Sequence, residues 1–168
     1  MKISNLDDLY ISELRDLYSA ESQLQHDMPG IKKAITSSLV ENAVKLHIGQ
    51  TRFQIKRLET IFEELEEKPT GHKCRAMEGI LKEISESMED VEAGPLLNSA
   101  LIGGLSRIEH YEIAGYNAAL SMAKHLGLKS HIVLIKETLN EEHTTSKDLS
   151  GLMTSVLESF DLPAESQV

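Results

Sequence analysis

Residues 101–122, LIGGLSRIEHYEIAGYNAALSM, carry the clearest pattern in this chain. Apolar residues recur there at steps of three and four, which predicts a helix with one apolar face. Glu112 holds a position in phase with that face, and Glu109 lies one turn before it. A carboxylate on a buried helix face is costly unless a positive partner lies nearby. The stretch therefore predicts a helix that carries two carboxylates into a protein interior. The apolar positions are Leu101, Leu105, Ile108, Ala119 and Met122.

Three other stretches combine an apolar stripe with polar residues inside it. The stripes run through Leu14, Leu17, Leu24, Met28, Ile31 and Ile35, then Ala43, Leu58, Ile61 and Leu65, and finally Ile132, Ile135, Leu139, Leu149 and Val156. The polar residues at inward positions are Glu21, His47, Gln50, Gln54 and Glu142. Several carboxylates in one apolar core would repel one another and remain poorly solvated. A pair of metal ions among them is the simplest source of positive charge.

Composition narrows the class of protein. The chain has 168 residues, which fits one domain, and its 4% aromatic content without Trp favours an all-α fold. A net charge of -10 argues against nucleic acid or an anionic membrane as the main partner. The single cysteine, Cys74, excludes an intramolecular disulfide and fits a reducing compartment. Because the N-terminus lacks the apolar run of a signal peptide and no stretch is long enough for a membrane span, we expect a cytoplasmic protein.

Turn and capping signals divide the chain into five predicted helices. Ser4 or Asn5 is suited to cap the first helix, and Gly127 is suited to end the fourth in the left-handed conformation. Pro29 lies inside the first helix and predicts a kink or a break there. Residues 1–160 are expected to form one bundle and residues 161–168 a frayed tail. The predicted helices cover residues 5–37, 40–66, 74–91, 95–126 and 130–160.

The connections predict the topology. Short links join the first two and the last two long helices into antiparallel hairpins, whereas a crossover of about 28 residues with its own helix separates the hairpins. This is the ferritin-like form of the four-helix bundle, here with a fifth helix in the crossover. Glu21 lies about 16 residues before the first turn, and Glu112 and Glu142 each lie about 15 residues from the second. With a rise of about 1.5 Å per residue, these side chains should share one layer of the bundle.

The inward side chains have the chemistry of a dinuclear metal site. Residues three apart share a helix face, so Glu109 with Glu112, and His47 with Gln50, can share a ligand. Carboxylate and imidazole ligands suit iron or manganese, and four carboxylates would balance two divalent cations. A metal-free interpretation also stands, because 27 acidic residues will place some in phase by chance. A lone inward Glu is commonly salt-bridged, and a lone inward His is commonly a hydrogen-bonded core residue.

The chain also resembles the YciF/YciE family of bacterial ferritin-like stress proteins over about residues 3–158. The resemblance implies a bundle of five helices, a homodimer, a link to stress response and a candidate dinuclear iron or manganese site. Carried over to this sequence, that site would comprise Glu21, Glu109, Glu112 and Glu142, with His47 and Gln50. The blocks that carry the resemblance are residues 17–21 with 23–24, His47, Thr51, Gln54, residues 57–59, Cys74 with residues 76–79, residues 109–114, and residues 136–139 with 141–142.

Two positions depart from the family pattern, which usually has His-x-x-Glu-Thr in the second helix and an acid near residue 146. This chain has Gln50 and Ser146 there. Our first hypothesis is a stress protein that binds two divalent metal ions and handles metal or peroxide; as an enzyme it would be a di-metal oxidoreductase. The alternative is a metal-free helical dimer that acts as a structural or protein-interaction module, with its inward acids protonated or paired with Lys or Arg.

Overall fold

A computed structural model describes residues 3–160, and these residues form five helices and no strand. The predicted all-α fold is confirmed. The predicted tail, residues 161–168, lies outside the described residues. The helices are α1 (Leu6–Ala34), α2 (Ser38–Glu64), α3 (Arg75–Asp90), α4 (Pro95–Leu126) and α5 (Lys129–Leu157).

Local signals account for the helix ends. Asn5 caps α1 by accepting a hydrogen bond from the Asp8 backbone N–H at 2.8 Å. The Cys74 sulfur accepts one from the Met77 N–H at 3.5 Å at the start of α3. Gly127 ends α4 with φ of 72°, a left-handed conformation that glycine adopts at low cost. Of the kink or break predicted at Pro29, the break does not occur, since α1 continues to Ala34.

The four long helices form two hairpins, with α1 against α2 and α4 against α5. The crossover helix α3 packs on α1 and α4, and the hairpins meet through α1 with α4 and α2 with α5. Gly104 lets α3 approach α4 closely, because a Cβ atom there would overlap the Ile84 side chain. No helix within residues 3–160 has the length and apolarity needed to cross a membrane.

A layer of buried polar side chains separates the apolar core into two clusters. We call Glu21, His47, Glu109, Glu112 and Glu142 the polar layer; each is at most 2% exposed. One apolar cluster lies on the side of the first interhelical turn, and the other lies on the side of Gly127. Each long helix therefore passes from one cluster through the polar layer to the other. The first cluster includes Leu24, Val44, Leu105 and Leu149, and the second includes Leu17, Leu58, Tyr116 and Leu139.

Candidate metal centre

Four residues of the polar layer converge on one point. His47 from α2, Glu109 and Glu112 from α4 and Glu142 from α5 each offer one ligand atom, and these atoms all lie within 4.8 Å of one another. His47 Nδ1 lies 2.9 Å from Glu109 Oε1, and its Nε2 lies 4.0 Å from Glu112 Oε2. The three-residue spacing on α4 places both of its carboxylates on the same helix face. The structure thus brings one predicted pair, Glu109 with Glu112, together with His47 and Glu142 from two other helices.

Glu21 lies beside this group and is held by a residue that the sequence analysis did not single out. The Tyr116 hydroxyl donates a 2.6 Å hydrogen bond to Glu21 Oε1, and both side chains are buried. Tyr116 follows Glu112 by four residues, so the helical repeat places it on the same inward face of α4. Its spacing was therefore a usable signal, although nothing in the sequence marks it as a partner of Glu21.

Gln50 and Gln54 have different environments. Gln50 is half-buried, and its Oε1 accepts a 3.3 Å hydrogen bond from Thr145. Gln54 is 1% exposed, and its amide donates to Glu142 and, at 3.1 Å, to Glu141 Oε2. Of these two glutamines, Gln54 is therefore the one that donates a hydrogen bond to a carboxylate of the polar layer.

Burial is the main influence on the acid–base state of the carboxylates. It raises the pKa of Glu109 to about 7. Burial also raises the pKa of Glu21 well above its ordinary value, with repulsion from Glu142 as a further cause. The pKa values of Glu112 and Glu142 are likewise raised well above the ordinary value, first by burial and then by Glu21 and Glu109 respectively. These four acids cannot all ionise in this interior unless positive charge joins them.

The unpartnered atoms in the layer test whether a metal fits. Among the described residues, seven of its buried atoms have no hydrogen bond of ordinary geometry, although Glu109 Oε1 lies 2.9 Å from His47 Nδ1. Buried polar atoms in proteins are normally paired, so such a concentration calls for an explanation. Carboxylate oxygen and imidazole nitrogen are ligands for iron, manganese and zinc, and the donor set fits a divalent metal. The atoms are Glu21 Oε2, His47 Nε2, both oxygens of Glu109, both oxygens of Glu112, and Glu142 Oε2.

Comparison with known proteins identifies relatives along nearly the whole chain. Residues 5–160 match the family model described as a domain of unknown function, DUF892. Protein YciF of Escherichia coli (strain K12) is 35% identical over 153 residues, which cover 90% of this chain and 92% of that protein. The crystal structure of the E. coli stress protein YciF superposes with a TM-score of 0.90 at 33% identity, covering 94% of this chain and 100% of that one. YcfI from Rhodopseudomonas palustris superposes with a TM-score of 0.85 at 29% identity, covering 96% and 98% of the two chains.

Proposed function

The chain belongs to the DUF892 family and is a YciF-like protein, and on that premise we propose that it binds a pair of divalent iron or manganese ions in its polar layer. The proposed role is the handling of metal or peroxide under stress. The observation that carries this proposal is the set of seven buried oxygen and nitrogen atoms that can bind a metal and have no hydrogen-bond partner. A divalent metal would bind to these atoms. It would also supply the positive charge that lets the carboxylates ionise.

Charge supports two ions rather than one. Four ionised glutamates carry a charge of about -4, which two divalent cations neutralise. His47, Glu109, Glu112 and Glu142 are close enough to share one position. Glu21 would extend the donor set on the side of α1. A pair of iron or manganese ions supplies exchange of electrons with a small oxidant such as peroxide.

The surrounding side chains fit this role. Tyr116 fixes one oxygen of Glu21 and leaves the other without a partner. The two apolar clusters lie on either side of the polar layer and exclude bulk water from it. Exclusion of water strengthens the interaction between the carboxylates and a cation.

Metal-linked stability tests the proposal. A ligand that binds only the native state stabilises it by about 2.7 kcal/mol at 100 times Kd. Ferrous iron or Mn²⁺, added anaerobically, should therefore raise the melting temperature of the metal-free protein. Glu112→Ala or Glu142→Ala should abolish this rise, whereas Glu63→Ala, at an exposed position of α2, should retain it. An unchanged melting curve in the wild type, with no metal found by elemental analysis, would refute the proposal.

A second candidate function, a dimeric structural module, is favoured by the exposed face of α2. Leu39, Leu46 and Phe53 are each more than 60% exposed and recur every seven residues. The stripe is symmetric about Leu46, so two copies packed antiparallel about a two-fold axis would bring Leu39 against Phe53 of the second copy. Val133 on α5 is 65% exposed and lies on the same face as Glu137, which pairs with Arg57 of α2. We propose a second copy of this chain as the occupant of this stripe.

The mass of the protein in solution tests this candidate. Light scattering coupled to size-exclusion chromatography should give twice the chain mass of 18.7 kDa for the wild type. Leu46→Glu should give the single chain mass, while Leu96→Glu, at an exposed apolar residue of α4, should leave the dimer intact. A wild type that is monomeric at micromolar concentration would exclude the dimer.

A further inference from the structure

Gln54 links the polar layer to a set of charged residues between α2 and α5. Its amide nitrogen carries two hydrogens. It donates one hydrogen bond to Glu141 and one to Glu142. We propose that Gln54 is a positioning residue that orients Glu142 for the metal, and that Arg57 secures Gln54 through Glu141. This inference rests on the proposed metal-binding function.

The chemistry of the amide explains why this position needs glutamine. A carboxylate that is ionised, as Glu142 would be with a metal bound, only accepts hydrogen bonds, so the amide nitrogen is the group of Gln54 that suits it. A glutamate at position 54 would have no hydrogen to offer and would repel both neighbours. Gln54 also leaves Glu142 Oε2 without a partner. Glu142 thus has the same arrangement as Glu21, with one oxygen held by a neutral donor and the other available to a cation.

Arg57 holds the outer end of this chain of hydrogen bonds. Its two terminal nitrogens each contact a different oxygen of Glu141 at 2.7 Å, a bidentate pair that fixes the carboxylate in orientation. Arg57 also contacts Glu137 at 2.7 Å and Thr138 at 3.3 Å. The sequence of contacts from Arg57 to Glu141, Gln54 and Glu142 alternates between α2 and α5. Metal binding at Glu142 is therefore connected to the packing of these two helices.

Substitution of Gln54 tests the positioning role. Gln54→Met keeps the length of the side chain and removes its donors. Loss of a residue that orients a metal ligand typically weakens metal affinity by about 10- to 100-fold, so anaerobic Mn²⁺ titration should show a loss in this range. The electron paramagnetic resonance spectrum of bound Mn²⁺ should also change. Gln23→Met is the matched control, because the Gln23 amide donates to Ser19 and to the Cys74 carbonyl outside the polar layer.

A double-mutant cycle tests the connection to Arg57. Arg57→Met should weaken Mn²⁺ binding several-fold when it is the only substitution. When added to Gln54→Met it should have little further effect, because Arg57 acts through Gln54. Arg15→Met, which removes a 2.7 Å pair with Glu67, should leave binding unchanged. If Gln54→Met does not fold, the comparison of Arg57→Met with Arg15→Met remains as the test.

The outcomes separate this inference from the function on which it rests. A wild type that binds no Mn²⁺ would overturn both. A wild type that binds Mn²⁺ while Gln54→Met binds equally well would overturn only the positioning role. Additive losses in the cycle would overturn the connection through Arg57. A loss of affinity with an unchanged melting temperature of the metal-free protein would support positioning over a general effect on folding.

Discussion

Individual carboxylates in the polar layer combine two kinds of contact. Glu21 and Glu142 each accept a hydrogen bond from a neutral donor, Tyr116 or Gln54, through one oxygen. The other oxygen of each is buried without a partner. Such a division fixes the orientation of a carboxylate while leaving it able to bind a cation. It also means that the side chains are held in place before a ligand binds, which reduces the cost of binding.

At position 50, a change of amide to carboxylate should alter metal binding. Gln50→Glu keeps the shape of the side chain and adds a charge, so the metal-to-protein ratio or the affinity for ferrous iron should rise. Because Gln50 is half-buried, the added acid should also destabilise the metal-free protein modestly. Anaerobic titration of the variant and the wild type, with urea unfolding of both metal-free forms, measures these effects. Equal stoichiometry and affinity would count against position 50 as a ligand position.

Sequence predicted some residues of the layer better than others. Glu21, Glu112 and Glu142 could be placed because each interrupts a strong apolar stripe, and Glu109 because it lies one turn before Glu112. The structure buries all four. On α2 the predicted stripe depended on Ala43 and Leu65, which are half-buried. The buried positions run in steps of four and three through Val40, Val44, His47, Thr51, Gln54, Leu58 and Ile61, of which His47, Gln54, Leu58 and Ile61 were predicted. Rotation of a helix about its axis depends on packing with its neighbours, so the sequence could not choose between Gln50 and Gln54.

At the scale of helices, local chemistry predicted most of the ends. The effects of Asn5, Pro95 and Gly127 on the backbone are local. Each lies at the helix end where the sequence predicted it. The effect of Pro29 was harder to predict, because a proline inside a helix destabilises the helix by about 3 kcal/mol. The neighbouring Met28 and Ile31 are fully or almost fully buried. Burial of each contributes about 1.5–3 kcal/mol, enough to offset that cost and keep α1 continuous.

Two adjacent glycines of α4 should respond in opposite ways to alanine. Gly104→Ala places a methyl group against Ile84 of α3, and such overpacking typically costs about 1–3 kcal/mol. Gly103→Ala meets no atom within 4 Å, so the higher helix propensity of alanine should stabilise the protein by up to about 1 kcal/mol. Urea unfolding of both variants gives the comparison. Equal effects of the two substitutions would show that α3 does not pack tightly at Gly104.

The whole molecule should become less stable as pH rises when metal is absent. The pKa of Glu109 is raised to about 7, and those of Glu21, Glu112 and Glu142 lie well above 4.5, so the folded state holds protons that the unfolded chain releases. Their stabilising effect is complete below pH 4.5 and is lost as pH rises through the folded pKa values. For each such group, the free energy of unfolding should fall by about 1.4 kcal/mol per pH unit between the pKa of the unfolded chain and that of the folded state.

Measurement of urea unfolding between pH 5 and pH 7.5 checks this sign. Burial lowers the pKa of His131 below 6.5, so this residue opposes the trend, but it is one group against four. Glu112→Gln should flatten the slope because it removes one titrating acid. Saturating Mn²⁺ should remove the slope due to these acids, since the metal displaces their protons and the unfolded chain has already released its own above pH 5. Stability that rises with pH in the metal-free protein would contradict the prediction.

Cys74, the buried N-cap residue of α3, can report how often this helix separates from the rest of the bundle. Cys74 is the only thiol in the chain, it is 0% exposed, and its sulfur contacts the Tyr111 hydroxyl at 2.9 Å. A thiol reagent can reach it only when α3 separates from α1 and α4, so the labelling rate relative to that of the denatured chain measures the fraction of molecules in which the crossover is open. Gly104→Ala should accelerate labelling more than Gly103→Ala. Opening of the crossover can therefore be timed in the unmodified protein, without an introduced probe.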